Sequence, residues 1–204
     1  MIASLASSDV EAAAPEWEEL AERVQASPFL RPGWITAWWK AFGKGRLEIR
    51  SERRPEDELP RALLPVQCER GTLASPTNWH SPEFGLLTES AAAARRLVAA
   101  VLEDRPRRVS LAFLAPDQAE LVRAEALAHG YRVIQRTRQR STYVPIDGDW
   151  EAYQGRLSQG FRDDLRRTRR LLSARGEVRF EVSSGAGLDQ LLEQGFEVEA
   201  SGWK

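Results

Sequence analysis

Residues 158–180 read SQGFRDDLRRTRRLLSARGEVRF, and this stretch decides how the chain is organised. Phe161, Leu165, Thr168 and Leu172 recur at i, i+4, i+7 and i+11, the spacing of one helical face, while arginines fill the remaining faces. Gly176 is placed to close that helix, because glycine tolerates the left-handed backbone that often ends one. Val178, Phe180 and Val182 then alternate, which predicts a strand over 178–182, and a helix is expected over 188–200. An arginine-dense helix passing through a glycine into a strand reads as the opening of a second α/β domain. The sequence reaches Trp203 and Lys204 before that domain would close, so the expectation is the leading portion of a longer protein.

Upstream of this stretch, Asp147-Gly148-Asp149 marks the boundary, giving a first domain over 1–146 and the start of a second over 147–204. Asp149 is suited to cap a helix over 150–157. In the first domain, residues 14–26 predict a surface helix with Trp17, Leu20 and Val24 on one stripe, opened by Pro15. Residues 32–42 predict a more deeply buried helix, with Trp34, Trp38 and Phe42 four residues apart. Tryptophans at that spacing favour core packing over ligand stacking.

Leu47 and Ile49 alternate with charges and suggest a strand. A polar loop over 51–58 follows, then a second strand over 62–67 that Pro65 demotes to an edge or a bulge. Residues 75–84, SPTNWHSPEF, read as a loop. A helix over 91–102, a strand buried on both faces over 109–114, a helix over 117–129 ended by Gly130, and two strands over 131–137 and 142–146 complete the pattern. Helices and strands interleaved in this order define an α/β fold built on a mixed sheet.

Charge is nearly balanced, with 29 Lys and Arg against 30 Asp and Glu, so the whole chain carries no polyanion-binding signal. Residues 132–179 differ, holding twelve arginines against six acids, net +6. A nucleic-acid partner is not expected, because the total is balanced and no reader motif occurs. Cys68 is the only cysteine and there are two histidines, which excludes an internal disulfide and argues against a dedicated zinc site. No basic, apolar leader and no run of membrane-spanning length are visible, and a reducing, cytoplasmic setting fits. No G-x-S-x-G elbow supports serine nucleophile catalysis.

Several segments resemble a known family. Pro28-Phe29-Leu30 through Trp38, the loop Thr77-Asn78-Trp79-His80-Ser81-Pro82-Glu83-Phe84-Gly85, Asp147-Gly148-Asp149-Trp150, Phe161-Arg162-Asp163-Asp164-Leu165-Arg166-Arg167 and Glu199-Ala200-Ser201-Gly202-Trp203-Lys204 are similar to GNAT-type acyltransferases of the CelD-like or BcsL-like group. That group is associated with cellulose biosynthesis and is related to the FemABX peptidyltransferases. The resemblance implies two GNAT-like domains in tandem, the first complete and the second begun here. It further implies an acyl-CoA cofactor, acetyl-CoA or another, for the parent protein. Its cradle would lie in the second domain beyond this segment, so the segment itself would bind none and be inactive.

Two glycine runs invite comparison with such a cradle. Residues 40–45 follow a helix and precede a strand, the reverse of what phosphate binding needs. Residues 184–187 have the right order but read better as a flexible connection.

For the arginine helix, a solvated face competes with a functional cluster. Asp163 can pair with Arg167, and Arg162, Arg169 and Arg170 lack an obvious local partner. The resemblance makes Arg162, Arg166, Arg167 and Arg170 candidates for holding an anionic sugar or cell-envelope precursor, a task that suits the planar guanidinium fork. Trp203 and Lys204 are further substrate-side candidates on the same ground. His80 is a candidate general base, against the plainer role of a loop histidine bonded to backbone. His129 is expected only to complement a helix end. Two functions are therefore carried forward: the N-terminal part of an acyltransferase acting on a polysaccharide or envelope precursor, and a noncatalytic recognition domain binding a glycan or protein. Oligomeric state is open.

Overall fold

The computed structural model describes residues 2–5, 10–53, 57, 59–81, 83–137 and 142–202. The chain divides into two compact units, Met1–Arg140 and Ser141–Lys204.

The first unit is a mixed, open α/β sheet flanked by helices. Its strands are β1 (Ile2–Leu5), β2 (Arg46–Glu52), β3 (Ala62–Glu69), β4 (Thr72–Ala74), β5 (Leu87–Thr88) and β6 (Arg108–Ser110), and its helices are α1 (Val10–Arg23), α2 (Pro32–Phe42), α3 (Ala91–Glu103) and α4 (Pro116–Ala128). The order is β1-β2-β3-β4-β6, with β5 also on β3; only the β4 to β6 pairing is parallel.

Register explains how two cores arise from one sheet. Ile49 lies opposite Pro65 and Ser51 opposite Leu63, and side chains that oppose each other share a face. On that face Leu47, Ile49, Leu63 and Leu87 pack with Trp17, Leu20 and Ile35 of α1 and α2. The alternate residues Ala62, Leu64 and Val66 join Leu73 and the α3 residues Leu97 and Val101 on the other face. Trp17 is 1 % exposed and its indole N–H donates to the Leu30 carbonyl at 2.9 Å, which satisfies its one polar atom.

Pro65 does not place β3 at an edge. β3 is central, pairing with β2 along its length, with β5 at Ala62 and Leu63 and with β4 from Gln67 onward. Pro65 falls in the gap between those last two partners, where a missing N–H costs least. Pro15 likewise does not open α1. The helix begins at Val10, whose buried side chain joins the core along with Ala13, and Pro15 sits inside it.

The strand expected over 109–114 shrinks to Arg108–Ser110, and Val109 is only half-buried, because β6 has one neighbour in the sheet. Residues 131–137 and 142–146 form no strand. Tyr131 is nevertheless held, its hydroxyl donating to the Pro106 carbonyl at 3.0 Å.

The second unit contains α5 (Trp150–Arg156), α6 (Gln159–Ser173) and α7 (Leu188–Ser201), and none of the three has a buried residue. Asp149 caps α5 by accepting from the Ala152 N–H at 2.8 Å. α6 ends at Ser173 with Ala174 as its C-cap, so Gly176 lies beyond the cap. Residues 178–182 form no strand, although their alternation suggests one. Among the described residues no helix is long and apolar enough to cross a membrane.

Candidate functional site

In the first unit the chemistry gathers on the loop over 75–84. Ser75 anchors its start, accepting from the Ala112 N–H at 3.0 Å and donating its own N–H to the Ser110 carbonyl at 3.1 Å. Asn78 shapes the tip: its side-chain oxygen accepts from the His80 N–H at 2.9 Å and its carbonyl accepts from the Ser81 N–H at 3.0 Å. Ser81 is buried and its hydroxyl accepts from the Trp34 indole at 3.2 Å, which ties the loop to α2. The loop's end is clamped by Gln118, whose side-chain amide donates to the Leu86 carbonyl at 2.9 Å and accepts from the Leu86 N–H at 2.8 Å. Gly85 makes room for that clamp, since a Cβ there would stand 2.4 Å from the Gln118 oxygen.

This scaffold presents aromatic rings. His80 stacks on Phe42 with centroids 5.5 Å apart and planes 5° apart, and Phe42 also meets Trp38 at 5.7 Å. Trp79, 68 % exposed, lies edge-on to Phe113 at 5.7 Å. Phe113 holds a φ of +62°, a conformation that costs an ordinary residue about 1–2 kcal/mol. Phe42 was expected inside the α2 core and is instead 44 % exposed, because it is the last residue of the helix. His80 has neither a carboxylate nor another hydrogen-bonding partner for its ring among the described residues. Its plain role is therefore ring packing, with the backbone N–H rather than the imidazole making the bond.

In the second unit the arginines share α6. The Ser158 hydroxyl caps the helix, accepting from the Phe161 N–H at 3.3 Å. Arg166 pairs with Asp163, and Arg167 with Asp164 at 3.3 Å, so each pairing spans three residues and Asp163 does not take Arg167. Arg162 donates to the Gln154 carbonyl at 3.4 Å. Arg169 and Arg170 have no ion-pair partner among the described residues. Arg166, Arg167, Arg169 and Arg170 share the exposed surface of α6 with the two aspartates. Trp203 and Lys204 lie outside the described residues. His129 directs Nδ1 at the Glu125 carbonyl at 2.8 Å, at the end of α4.

The deepest charged cluster is one the sequence reading missed. Arg46, Glu48, Arg50 and Glu52 alternate along β2 and face the α3 side of the sheet. Glu48, 4 % exposed, pairs with Arg46 and with Arg50 at 2.8 Å; Arg50 continues to Asp104 at 2.5 Å, and Glu52 reaches Arg96 at 2.6 Å. Burial pushes the Glu48 carboxyl up, but Arg46, Arg50 and Cys68 outweigh it and hold it below its ordinary value. Burial, followed by the Glu48 charge, pushes the Cys68 thiol up to about 11, so it stays protonated and inert at neutral pH. The alternation of charges was visible, but in a sheet it reads as a solvent face until α3 is known to cover it.

Neither glycine run has the geometry of a cradle for an acyl-CoA pyrophosphate. Gly45 is packed on β3, where a Cβ would lie 2.4 Å from the Cys68 carbonyl, and it leads into a strand. Gly187 precedes α7 at a φ of +95°, but no strand runs into it. Among the described residues no group of three or more His, Cys, Asp and Glu side chains could hold a metal ion. No protein-family model matches the chain, and neither does any curated protein or solved structure.

Proposed function

We propose that this chain is the acceptor-side part of a GNAT-like, acyl-CoA-dependent acyltransferase that modifies an amine or hydroxyl on a polysaccharide or cell-envelope precursor. The observation that carries this reading is the set Arg166, Arg167 and Arg170, which share the α6 face turned away from its apolar stripe. Among the described residues Arg170 has no acid to neutralise it, and a phosphate can compete with the exposed aspartates for the other two. A guanidinium fork meets two phosphate oxygens at once, which favours a phosphorylated sugar over a neutral one. An acyl-CoA bound by the parent protein would supply the acyl group; the residues in hand would hold and orient the acceptor. The test is acyl transfer from radiolabelled acetyl-CoA by the protein that carries this chain. Replacing Arg166, Arg167 and Arg170 with glutamine should raise the acceptor KM about tenfold or more at little change in kcat. An unchanged KM would remove the arginine face from the proposal.

A second reading, a noncatalytic domain recognising a glycan or protein, draws on a different observation. Trp79 and His80 stand exposed on a tied loop, His80 stacked on Phe42 at the end of α2, and flat rings of that kind stack on sugar faces. Binding of a neutral oligosaccharide that Trp79→Ala abolishes, with no acyl transfer, would favour it.

A further inference from the structure

The parallel pairing of β4 with β6 puts two loops side by side. Thr72 lies opposite Arg108 and Ala74 opposite Ser110, so both strands finish at the same end of the sheet, and there they give way to the loop over 75–84 and to residues 111–115. The carboxyl ends of parallel strands are the ordinary place for a ligand in an open α/β sheet, because the loops that leave them converge outside it.

Phe113 is pinned at this place. The Ala112 N–H donates to Ser75 Oγ at 3.0 Å, and the Phe84 N–H donates to the Phe113 carbonyl at 3.2 Å. These bonds hold the backbone before and after Phe113 while its φ stands at +62°, in the left-handed region that bulky side chains avoid. Strain of this kind persists where the surroundings over-determine it, and it collects at ligand sites. What the conformation delivers is a ring. Phe113 is half-buried against the core that α3 lines, and it meets the exposed Trp79 indole in a T-shaped contact at 5.7 Å.

We propose that Phe113 is the positioning residue of a sugar subsite at these carboxyl ends: its ring holds the Trp79 indole in one orientation, on which a neutral pyranose stacks. The proposal rests on the recognition-domain reading above and adds the residue that sets the platform. An unbraced indole would have to be ordered at the moment of binding, which lowers affinity, whereas a braced one is ready beforehand. A β-1,4-linked glucose oligomer is the fitting probe, since its ring hydroxyls are all equatorial and leave the C–H faces open to an aromatic ring.

Isothermal titration of the chain with cellopentaose tests the subsite, and near-UV circular dichroism without sugar tests the brace. The native chain is expected to bind saturably and Trp79→Ala not at all. Phe113→Tyr keeps the ring and should bind within about twofold of the native chain, whereas Phe113→Leu keeps bulk alone and should bind about three- to tenfold more weakly. The near-UV spectrum of Phe113→Leu should lose the same indole bands as that of Trp79→Ala, because an indole freed from a fixed neighbour loses its chiral signal. Phe113→Gly should unfold at a higher denaturant concentration than Phe113→Ala, since glycine alone relieves the positive φ. Far-UV circular dichroism checks that each variant folds. No saturable binding by the native chain would overturn the subsite together with the recognition reading. A binding constant or a near-UV signal that Phe113→Leu leaves unchanged would overturn the role of Phe113 and leave that reading standing. An alanine variant as stable as the glycine one would contradict the pinned conformation.

Discussion

Gly85 and Gln118 show what a single residue contributes here. Gly85→Ala places a Cβ where the Gln118 oxygen sits, and that side chain can retreat only by giving up both bonds to Leu86. The expected loss is about 1–3 kcal/mol in a chemical denaturation midpoint, for the displaced amide and the two backbone groups it leaves. Gln118→Ala should cost a similar amount, and Gln118→Glu no less, because its second carboxylate oxygen would face the Leu86 carbonyl with no proton between them.

Glu48 gives a prediction in pH. Its folded carboxyl titrates below its ordinary value, so the unfolded chain takes up that proton first as pH falls. The ion pairs therefore contribute in full above the unfolded value of about 4.3, and this contribution is lost as pH drops through the lower folded value. A melting curve series from pH 7 to 3 should show a shallower decline in Tm for Glu48→Gln than for the native chain. Equal slopes would mean that Glu48 is not held as described. Cys68, with its thiol pushed up to about 11, should react with iodoacetamide at pH 7.5 at least about tenfold more slowly than a free thiol, and recover on unfolding.

At the scale of elements, helices were the legible part of this sequence. α2 runs over Pro32–Phe42 as its aromatic spacing predicts, and α3, α4, α5 and α7 fall within two residues of expectation. All but α7 show a capping side chain or a proline at the start. Ser90 is such a cap, its hydroxyl accepting from the Ala93 N–H at 3.2 Å, and Ser90→Ala is expected to cost about 1 kcal/mol in thermal or denaturant unfolding.

Strands were less legible. β4 and β5 have three and two residues, too few to show an alternation, and what defines them is the β3 edge they meet. Conversely, Val178, Phe180 and Val182 alternate well, yet Phe180 and Val182 are fully exposed and no neighbour pairs with them. A strand exists through its partner, and local sequence does not name one.

For the molecule as a whole, the sequence conveyed an α/β class and a change of character near residue 147, and the structure divides the chain six residues earlier. The two faces of the first sheet need no knowledge beyond register: odd positions of β2 and β3 go to α1 and α2, even positions to α3 and α4. Leu97→Ala at the centre of the second core should therefore cost about 2–5 kcal/mol in denaturant unfolding. The candidate site was legible only as residue types. That arginines crowd α6 could be read directly. Which of them remain unpaired depended on Asp163 and Asp164 reaching forward three residues, and the aromatic surface depended on a loop folding back over the end of α2.

The arginine face of α6 is the feature on which the acceptor-side reading turns, and isothermal titration of the chain with a nucleoside diphosphate sugar such as UDP-glucose addresses it most directly. We expect saturable binding that weakens with added salt and falls about tenfold or more when Arg166, Arg167 and Arg170 are replaced by glutamine, while Trp79→Ala leaves it unchanged. Absence of binding, or binding that survives the loss of all three arginines, would contradict the reading.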